Sequence, residues 1–322
     1  MAPVEVGTIH AALTSAEARL QRAGVETPRL DAQLLLAHVI GKNRTYVFAH
    51  PHKELPRDQR RHFDQLLARR EKREPLPYLL GEWEFMGMCL RVSPAVLIPR
   101  PETETLVEAA ARSVSVSGQW SVSTPLILDV GTGSGCVSLG LTRLLPGAEI
   151  VALEPSPEAA AVARENVARH RMAQRVRVLE IPFPECSSTA ARAPQHPNTA
   201  TPQHPVRPPS AFRLPPSSFD AVVSNPPYIP SAEVDRLAPE LRCYEPRMAL
   251  DGGTDGLDLI RSLVSHSPSL LGPGGLLALE VALGQAEQVT ELLRSNGSWD
   301  EPEVVPDLAG IPRVVIARKA RV

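Results

Sequence analysis

From Pro125 onward the chain alternates short, almost unbroken aliphatic runs with stretches of helical periodicity, and this alternation limits the fold more than any other feature. PLILDV, AEIVALE, VRVLEI, FDAVVSN and GLLALEV read as strands, and residues 135–145, 157–170, 256–271 and 284–296 read as helices between and after them. Strands that are apolar on both faces must be covered on both sides. The pattern therefore implies an open, mostly parallel sheet with helices on each face. Two last strands, near 302–306 and 312–318, have no helix between them and predict an antiparallel pair at one edge. Residues 184–218 interrupt the alternation. They are rich in proline, serine, alanine and histidine and lack periodicity, which predicts a disordered surface insert.

The first 75 or so residues follow a different rule. Ile9, Leu13, Ala16 and Leu20 recur at helical spacing before Gly24, and Leu30, Leu34, Leu35 and Val39 form a second apolar face between Pro28 and Gly41. A third helix is expected from about Pro56 to Glu74, with Phe63, Leu66 and Leu67 inward. Its other face carries Arg57, Arg60, Arg61, Arg69, Arg70, Lys72 and Arg73 among four acids. That face reads either as solvated mixed charge or as a docking surface for an acidic or RNA-bound partner. Residues 78–98 show short alternating runs punctuated by Gly81 and Gly87, the mark of a small hairpin bridging two domains. The division is 1–75 helical domain, 76–100 linker and 101–322 sheet domain.

Composition removes several classes. At 322 residues and 43% hydrophobic the chain can build two cores, and 34 basic against 36 acidic residues argue against a protein held to nucleic acid by bulk charge. Cys89, Cys136, Cys186 and Cys243 are widely spaced, so neither a zinc site nor a disulfide framework is expected; they read as reduced thiols, mostly small core residues. No apolar run approaches the roughly 20 residues of a membrane span. A soluble intracellular protein is expected, in the cytoplasm or, after loss of a transit peptide, inside an organelle.

Two strand ends carry the chemistry. Gly131-Thr132-Gly133-Ser134-Gly135 follows the strand PLILDV and precedes a helix, where glycines permit a tight turn and close approach of a ligand. The spacing GxGxG, with Cys136 at the next position, departs from the dinucleotide fingerprint. The following strand ends at Glu154, a carboxylate able to accept from two ribose hydroxyls or to cap the next helix. A nucleoside-bearing cofactor without a pyrophosphate fits. Ser224-Asn225-Pro226-Pro227-Tyr228 closes the strand FDAVVS. Prolines lack an N–H and force extended backbone, which leaves carbonyls free to face a ligand. The Asn225 side-chain oxygen and the Pro226 carbonyl form two acceptors for one planar NH2 group, and Tyr228 offers a ring to pack on it. Such a grip suits methylation of an amide nitrogen, whose lone pair is delocalised. Accepting both hydrogens orients the nitrogen and stabilises the charge that develops on attack.

These motifs, together with FMGMCLRVSPAVLIPRPETETLVE (Phe85 to Glu108) and the tail DLAGIPRVVIAR, resemble the HemK/PrmC protein-(glutamine-N5) methyltransferases. The resemblance covers nearly the whole chain outside 184–218. It implies a Rossmann-like, seven-stranded class I methyltransferase domain behind a small helical N-terminal domain and a β-hairpin linker. It further implies methyl transfer from S-adenosyl-L-methionine to the GGQ glutamine of a class I peptide chain release factor. Carried over, Gly131 to Gly135, Glu154 and Asn225 hold the cofactor, and Asn225, Pro226, Pro227 and Tyr228 hold the glutamine. Arg100, within Pro99-Arg100-Pro101-Glu102, lines the pocket unless that segment only starts a helix. The family usually has aspartate at the position of Glu154, whose longer side chain still reaches the ribose. The stretch Glu180-Ile181-Pro182-Phe183 assigns Phe183 to the adenine. A monomer with no stable nucleic-acid partner is expected. The alternative activity is methylation of an exocyclic amine of adenine or guanine in DNA or RNA, which the same NPPY grip would serve.

Overall fold

The computed structural model describes residues 7–116, 124–183 and 217–321. The insert expected at 184–218 lies, apart from Ser217 and Ser218, outside the described residues. The chain opens with α1 (Ile9–Arg22), α2 (Pro28–Ile40), α3 (Arg44–Ala49), α4 (Arg57–Glu71) and α5 (Leu76–Leu80). Thr8 caps α1 by accepting from the Ala11 N–H at 3.3 Å, and Pro28 occupies the first turn of α2, where its missing N–H costs nothing. The apolar stripes of α1, α2 and α4 close on one core that includes Ile9, Ala16, Leu20, Leu35, Phe63 and Leu67. Helices α3 and α5 escaped the sequence reading because six and five residues are too few to display a helical period.

The basic face of α4 is not an open stripe. Arg70 is buried and donates to Asp31 at 2.7 Å, a carboxylate also shielded from water. Arg19 reaches Glu71 at 2.7 Å, and Arg60 pairs with Asp64 at 3.1 Å. Arg70 thus has the partner that a buried guanidinium requires, while Arg57, Arg61, Arg69 and Lys72 are exposed.

The hairpin consists of β1 (Glu82–Phe85) and β2 (Met88–Arg91), paired from Glu82 with Arg91 to Phe85 with Met88. Its two-residue turn is Met86-Gly87, both with positive φ (50° and 73°), as a turn matching strand twist requires. The paired region is shorter than 78–98, because Tyr78 to Leu80 belong to α5. Cys89 and Cys243 are exposed, contrary to the expectation of small core residues; Cys89 sits on the outward face of alternating β2. Cys136 is half-buried, and Cys186 lies outside the described residues.

After α6 (Pro101–Val116) the sheet is laid down as β3 (Leu126–Val130), α7 (Cys136–Leu144), β4 (Glu149–Leu153), α8 (Pro157–Arg169) and β5 (Val176–Leu179). Then come β6 (Phe219–Ser224), the short helices α9 (Ser231–Val234) and α10 (Pro239–Tyr244), α11 (Asp258–Leu270) and β7 (Leu271–Glu280). Helix α12 (Ala286–Asn296) precedes β8 (Glu303–Pro306) and β9 (Pro312–Arg318). The seven strands lie in the order β5-β4-β3-β6-β7-β9-β8. Strands β3 to β7 are parallel, and β9 runs antiparallel to both β7 and β8. Alternate residues feed two cores. Ile127, Ala221, Val223 and Leu276 join α6 and α7 on one face, while Leu128, Val222, Leu277 and Val315 join α11 and α12 on the other. This double covering is what the unbroken aliphatic strands demanded.

Candidate active site

In the strand order the chain moves from β3 outward through β4 to β5, then returns to β6 on the other side of β3. The crevice at such a reversal, at the carboxyl ends of the strands, is where open α/β sheets bind ligands. Register aligns the groups there. Val130 pairs with Leu153 and with Ser224, and Ser224 pairs with Leu279. The next residue of each strand therefore falls in one row: Glu154, Gly131, Asn225 and Glu280. At roughly 4.8 Å per strand the row spans about 15 Å, the scale of a nucleoside with its side chain. Ser224 ties two of these ends together by donating to the Val130 carbonyl at 2.7 Å.

The glycine turn is organised from within. Gly131, Gly133 and Gly135 all have positive φ (74°, 56° and 83°), a conformation that a side chain would strain. Buried Asp129 accepts from Thr132 at 2.7 Å and from Ser138 at 2.6 Å, tying the turn to the first turn of α7. Burial pushes its carboxyl up to about 6, against the pull of those hydroxyls. Glu154 accepts from the Gly133 N–H at 2.9 Å and the Ser156 N–H at 3.0 Å, and burial raises its carboxyl above the usual range. The cap of α8 is Ser156, which accepts from the Ala159 N–H at 3.2 Å. A Cβ built on Gly131 or Gly133 meets no atom within 4 Å, so the turn borders open space, whereas Gly135 faces Ala163 at 3.6 Å. Open room beside backbone and a carboxylate at the next strand end are the features a nucleoside cofactor needs.

At the end of β6, Pro226 is buried and Asn225 and Tyr228 are half-buried. The Asn225 amide nitrogen donates to the Thr103 hydroxyl at 3.0 Å, which turns its oxygen the other way. Tyr228 lies with its hydroxyl 3.5 Å from Glu280, and burial beside that carboxylate pushes the phenol up to about 12. Gln285 donates to the Tyr228 carbonyl at 2.9 Å. Two glycines of the run Gly252-Gly253-Thr254-Asp255-Gly256 pack on the same backbone: a Cβ on Gly252 would stand 2.6 Å from the Pro227 carbonyl, and one on Gly256 2.2 Å from that of Tyr228.

Residues 11–81 match the model described as the PrmC N-terminal domain, and residues 102–196 that of a precorrin methyltransferase domain. The release factor glutamine methyltransferase of Geobacter sulfurreducens is 39% identical over 315 residues, 98% of each chain. That of Koribacter versatilis is 37% identical over 312 residues, 97% of this chain and 99% of its own. The chain belongs to the release factor glutamine methyltransferase family. The hMettl16 catalytic domain, solved with an RNA hairpin, superposes with a TM-score of 0.51 at 12% identity over 71% of this chain and 74% of that one, a likeness of fold alone.

Within this family member the remaining expected site residues are placed unequally. Arg100 forms an ion pair with buried Glu245 and lies close enough to Tyr228 for its charge to act on the phenol, while α6 begins at Pro101 and its third residue, Thr103, reaches Asn225. Phe183 is buried in one core cluster with Leu128, Val130 and Leu153, the last two directly before Gly131 and Glu154, and its ring meets His266 edge-on at 6.2 Å. Thr103, Asn166, Glu245, Glu280 and Gln285 were not singled out from sequence. Asn166 of α8 donates to the carbonyls of Arg91 and Ser134, each at 2.9 Å, and so joins the hairpin to the glycine turn. A carboxylate ending an aliphatic strand and a glycine run after NPPY were the available signals for Glu280 and Gly252–Gly256. The helical domain is latched to the segment after NPPY. Glu240 of α10 accepts from Arg70 at 3.0 Å and from Arg73 at 2.8 Å. Among the described residues no group of three or more His, Cys, Asp or Glu is placed to hold a metal ion, and no helix is long and apolar enough to cross a membrane.

Proposed function

We propose that the chain transfers a methyl group from S-adenosyl-L-methionine to the side-chain nitrogen of the GGQ glutamine in a class I peptide chain release factor. The observation that carries this reading is the Asn225 amide: its nitrogen is engaged by Thr103, which leaves its oxygen to accept, beside Pro226, at the sheet's ligand-binding edge. Near full-length identity with release factor glutamine methyltransferases supports the same substrate. The backbone of Gly131 to Gly135 and the Glu154 carboxylate would hold the cofactor, whose sulfonium supplies an already activated methyl.

The protein's task is then positioning and electrostatics. Asn225 Oδ1 and the Pro226 carbonyl accept the two amide hydrogens and turn the nitrogen lone pair out of conjugation. Tyr228 packs beside the planar amide. Glu154 and Glu280 stand in the strand row, where a cationic donor would favour the charged form of each buried carboxyl against the desolvation that raises both. The nitrogen sheds one proton to solvent after transfer, so no strong base is needed. The reading includes a monomeric enzyme working where release factors act, in the cytoplasm or an organelle interior. Incubation of a class I release factor with labelled S-adenosylmethionine, followed by peptide mass spectrometry, tests it. One methyl on the GGQ glutamine, absent with Asn225→Ala, is expected; label in RNA or DNA and none in release factor would overturn it.

A further inference from the structure

The helical domain grips one short helix that follows the NPPY turn. Glu240, in the first turn of α10, accepts from Arg70 at 3.0 Å and from two nitrogens of Arg73, one of them at 2.8 Å. Three parts of the domain converge on that carboxylate. Arg70, in the last turn of α4, also donates to Asp31 of α2 at 2.7 Å, and Arg73 donates to the Gly24 carbonyl in the turn after α1 at 2.8 Å. Arg73 reaches them from a left-handed backbone (φ 69°), a conformation costly for any residue but glycine. Further along α10 the Tyr244 hydroxyl donates to the Lys72 carbonyl at 2.8 Å.

The other end of α10 is tied to the amide grip. Glu245, its C-terminal cap, is buried and accepts from Arg100, the residue before α6. The Arg100 carbonyl accepts from the Thr103 N–H at 3.1 Å, and the Thr103 hydroxyl accepts from Asn225 Nδ2 at 3.0 Å. The segment carrying α10 also returns to NPPY. Ile229, next after Tyr228, donates to the Leu250 carbonyl at 3.0 Å, and Gly252 donates to the Ile229 carbonyl at 2.8 Å. A carboxylate stands at each end of this helix, each paired with cations from a different part of the chain. Charge-assisted bonds shielded from water are strong and directional, so a shift at one end strains the other.

We infer that α10 is a strut through which the helical domain positions the amide grip, with Glu240 and Glu245 as positioning residues. This rests on the reading of NPPY as the holder of the glutamine amide. It adds a role for the helical domain in turnover, apart from any surface it offers to the release factor. Neither carboxylate needs to touch the substrate.

The test uses the full-length chain as wild type, Glu240→Gln, Glu240→Asp, Glu245→Ala and the double variant Arg73→Gln with Glu240→Gln. Asp31 keeps Arg70 paired in all of them, and water can solvate the half-exposed Arg100 once Glu245 is gone. Amide hydrogen exchange, read by mass spectrometry without substrate, is expected to quicken about threefold or more over 226–252 in Glu240→Gln, and to stay at the wild-type rate over 126–140. Release-factor methylation is then resolved into kcat and KM. Glu240→Gln and Glu245→Ala are each expected to lose about tenfold in kcat, with KM nearly unchanged. Glu240→Asp should recover part of kcat, and the double variant should lose no more than Glu240→Gln, because the pair is already broken. Unchanged exchange over 226–252 in Glu240→Gln overturns the inference whatever the activity. A raised KM with unchanged kcat also overturns it, since the helical domain then only docks the release factor. Unchanged kcat in Glu245→Ala breaks the strut at its other end and overturns it too. A wild type that methylates no release factor, while Glu240→Gln loosens 226–252, defeats the functional reading and leaves the strut standing.

Discussion

The two strand-end turns of the site are built in opposite ways. The turn at 131–135 is held mainly by its neighbours in sequence: Thr132 and Ser138 reach Asp129 across three and nine residues. The turn at 225–228 is held from afar. Thr103 lies 122 residues from Asn225, Glu280 52 residues from Tyr228, and Gln285 57 residues from Tyr228. The contrast follows from the work each turn does. A cofactor that lies along backbone needs a shape, which glycines and one buried carboxylate can impose locally. A planar amide held by two acceptors needs an orientation, and a short asparagine in a proline-rich turn cannot orient itself. The second turn borrows its rigidity from the sheet and from α6.

Four outcomes would sharpen or break this contrast. Asn225→Ala should cut turnover by on the order of 100-fold, as loss of one preorganised polar contact does. Calorimetric cofactor affinity should stay near that of wild type, and an equal loss in both would merge the two turns into one unit. Gly256→Ala should come next, because its Cβ would sit 2.2 Å from the Tyr228 carbonyl at a φ of +79°. Displacement of NPPY is expected to cost about tenfold in kcat. The left-handed backbone adds roughly 1–2 kcal/mol of instability, readable in a denaturant titration. Asp129→Ala removes the acceptor of two hydroxyls and should weaken cofactor binding about tenfold, while kcat at saturating cofactor moves only a few-fold. A large fall in kcat instead would show that the glycine turn also sets the amide grip.

The smallest effect expected is on pH dependence. Burial raises the Glu280 carboxyl from 4.5 to about 7, opposed by Thr103 and Arg313 and assisted by Glu102. Its folded-state value exceeds the unfolded one, so its neutral form adds stability below about 4.5. That contribution is lost as pH rises through about 7. Glu280→Gln should therefore remove a downward slope of melting temperature between those limits. Parallel melting profiles for wild type and variant would place the titration elsewhere.

The same division between local and remote decides what could be read in advance. The sheet was legible because each strand carries its own evidence: Ile127 and Leu128 are both apolar, so both faces of β3 must be covered. Gly131-Thr132-Gly133-Ser134-Gly135 announced a turn by composition alone, and LIPRPETE with NPPY pointed to the family. The environment of the grip was not legible. Thr103 reads as one polar residue in a helix start, Glu280 as a strand-end acid, Gly252 as a loop and Gly256 as the start of the helix expected over 256–271. Nothing in their own windows tells that register will set β7 beside β6. Nor could the sequence tell that Phe183 would share a core cluster with Val130 and Leu153 and meet His266 edge-on. The arginines of α4 likewise looked like a surface until Asp31 and Glu240 were seen to meet Arg70.

By itself, then, the sequence determined the longer helices, the strands of the doubly covered sheet, the glycine turn and the family, because periodicity, proline and glycine act over a few residues. Only the tertiary structure decided which way the Asn225 amide points, what braces Tyr228 and where the helical domain latches. Those depend on hydrogen bonds between buried groups far apart in the chain, whose partners are set by strand order rather than by any local pattern.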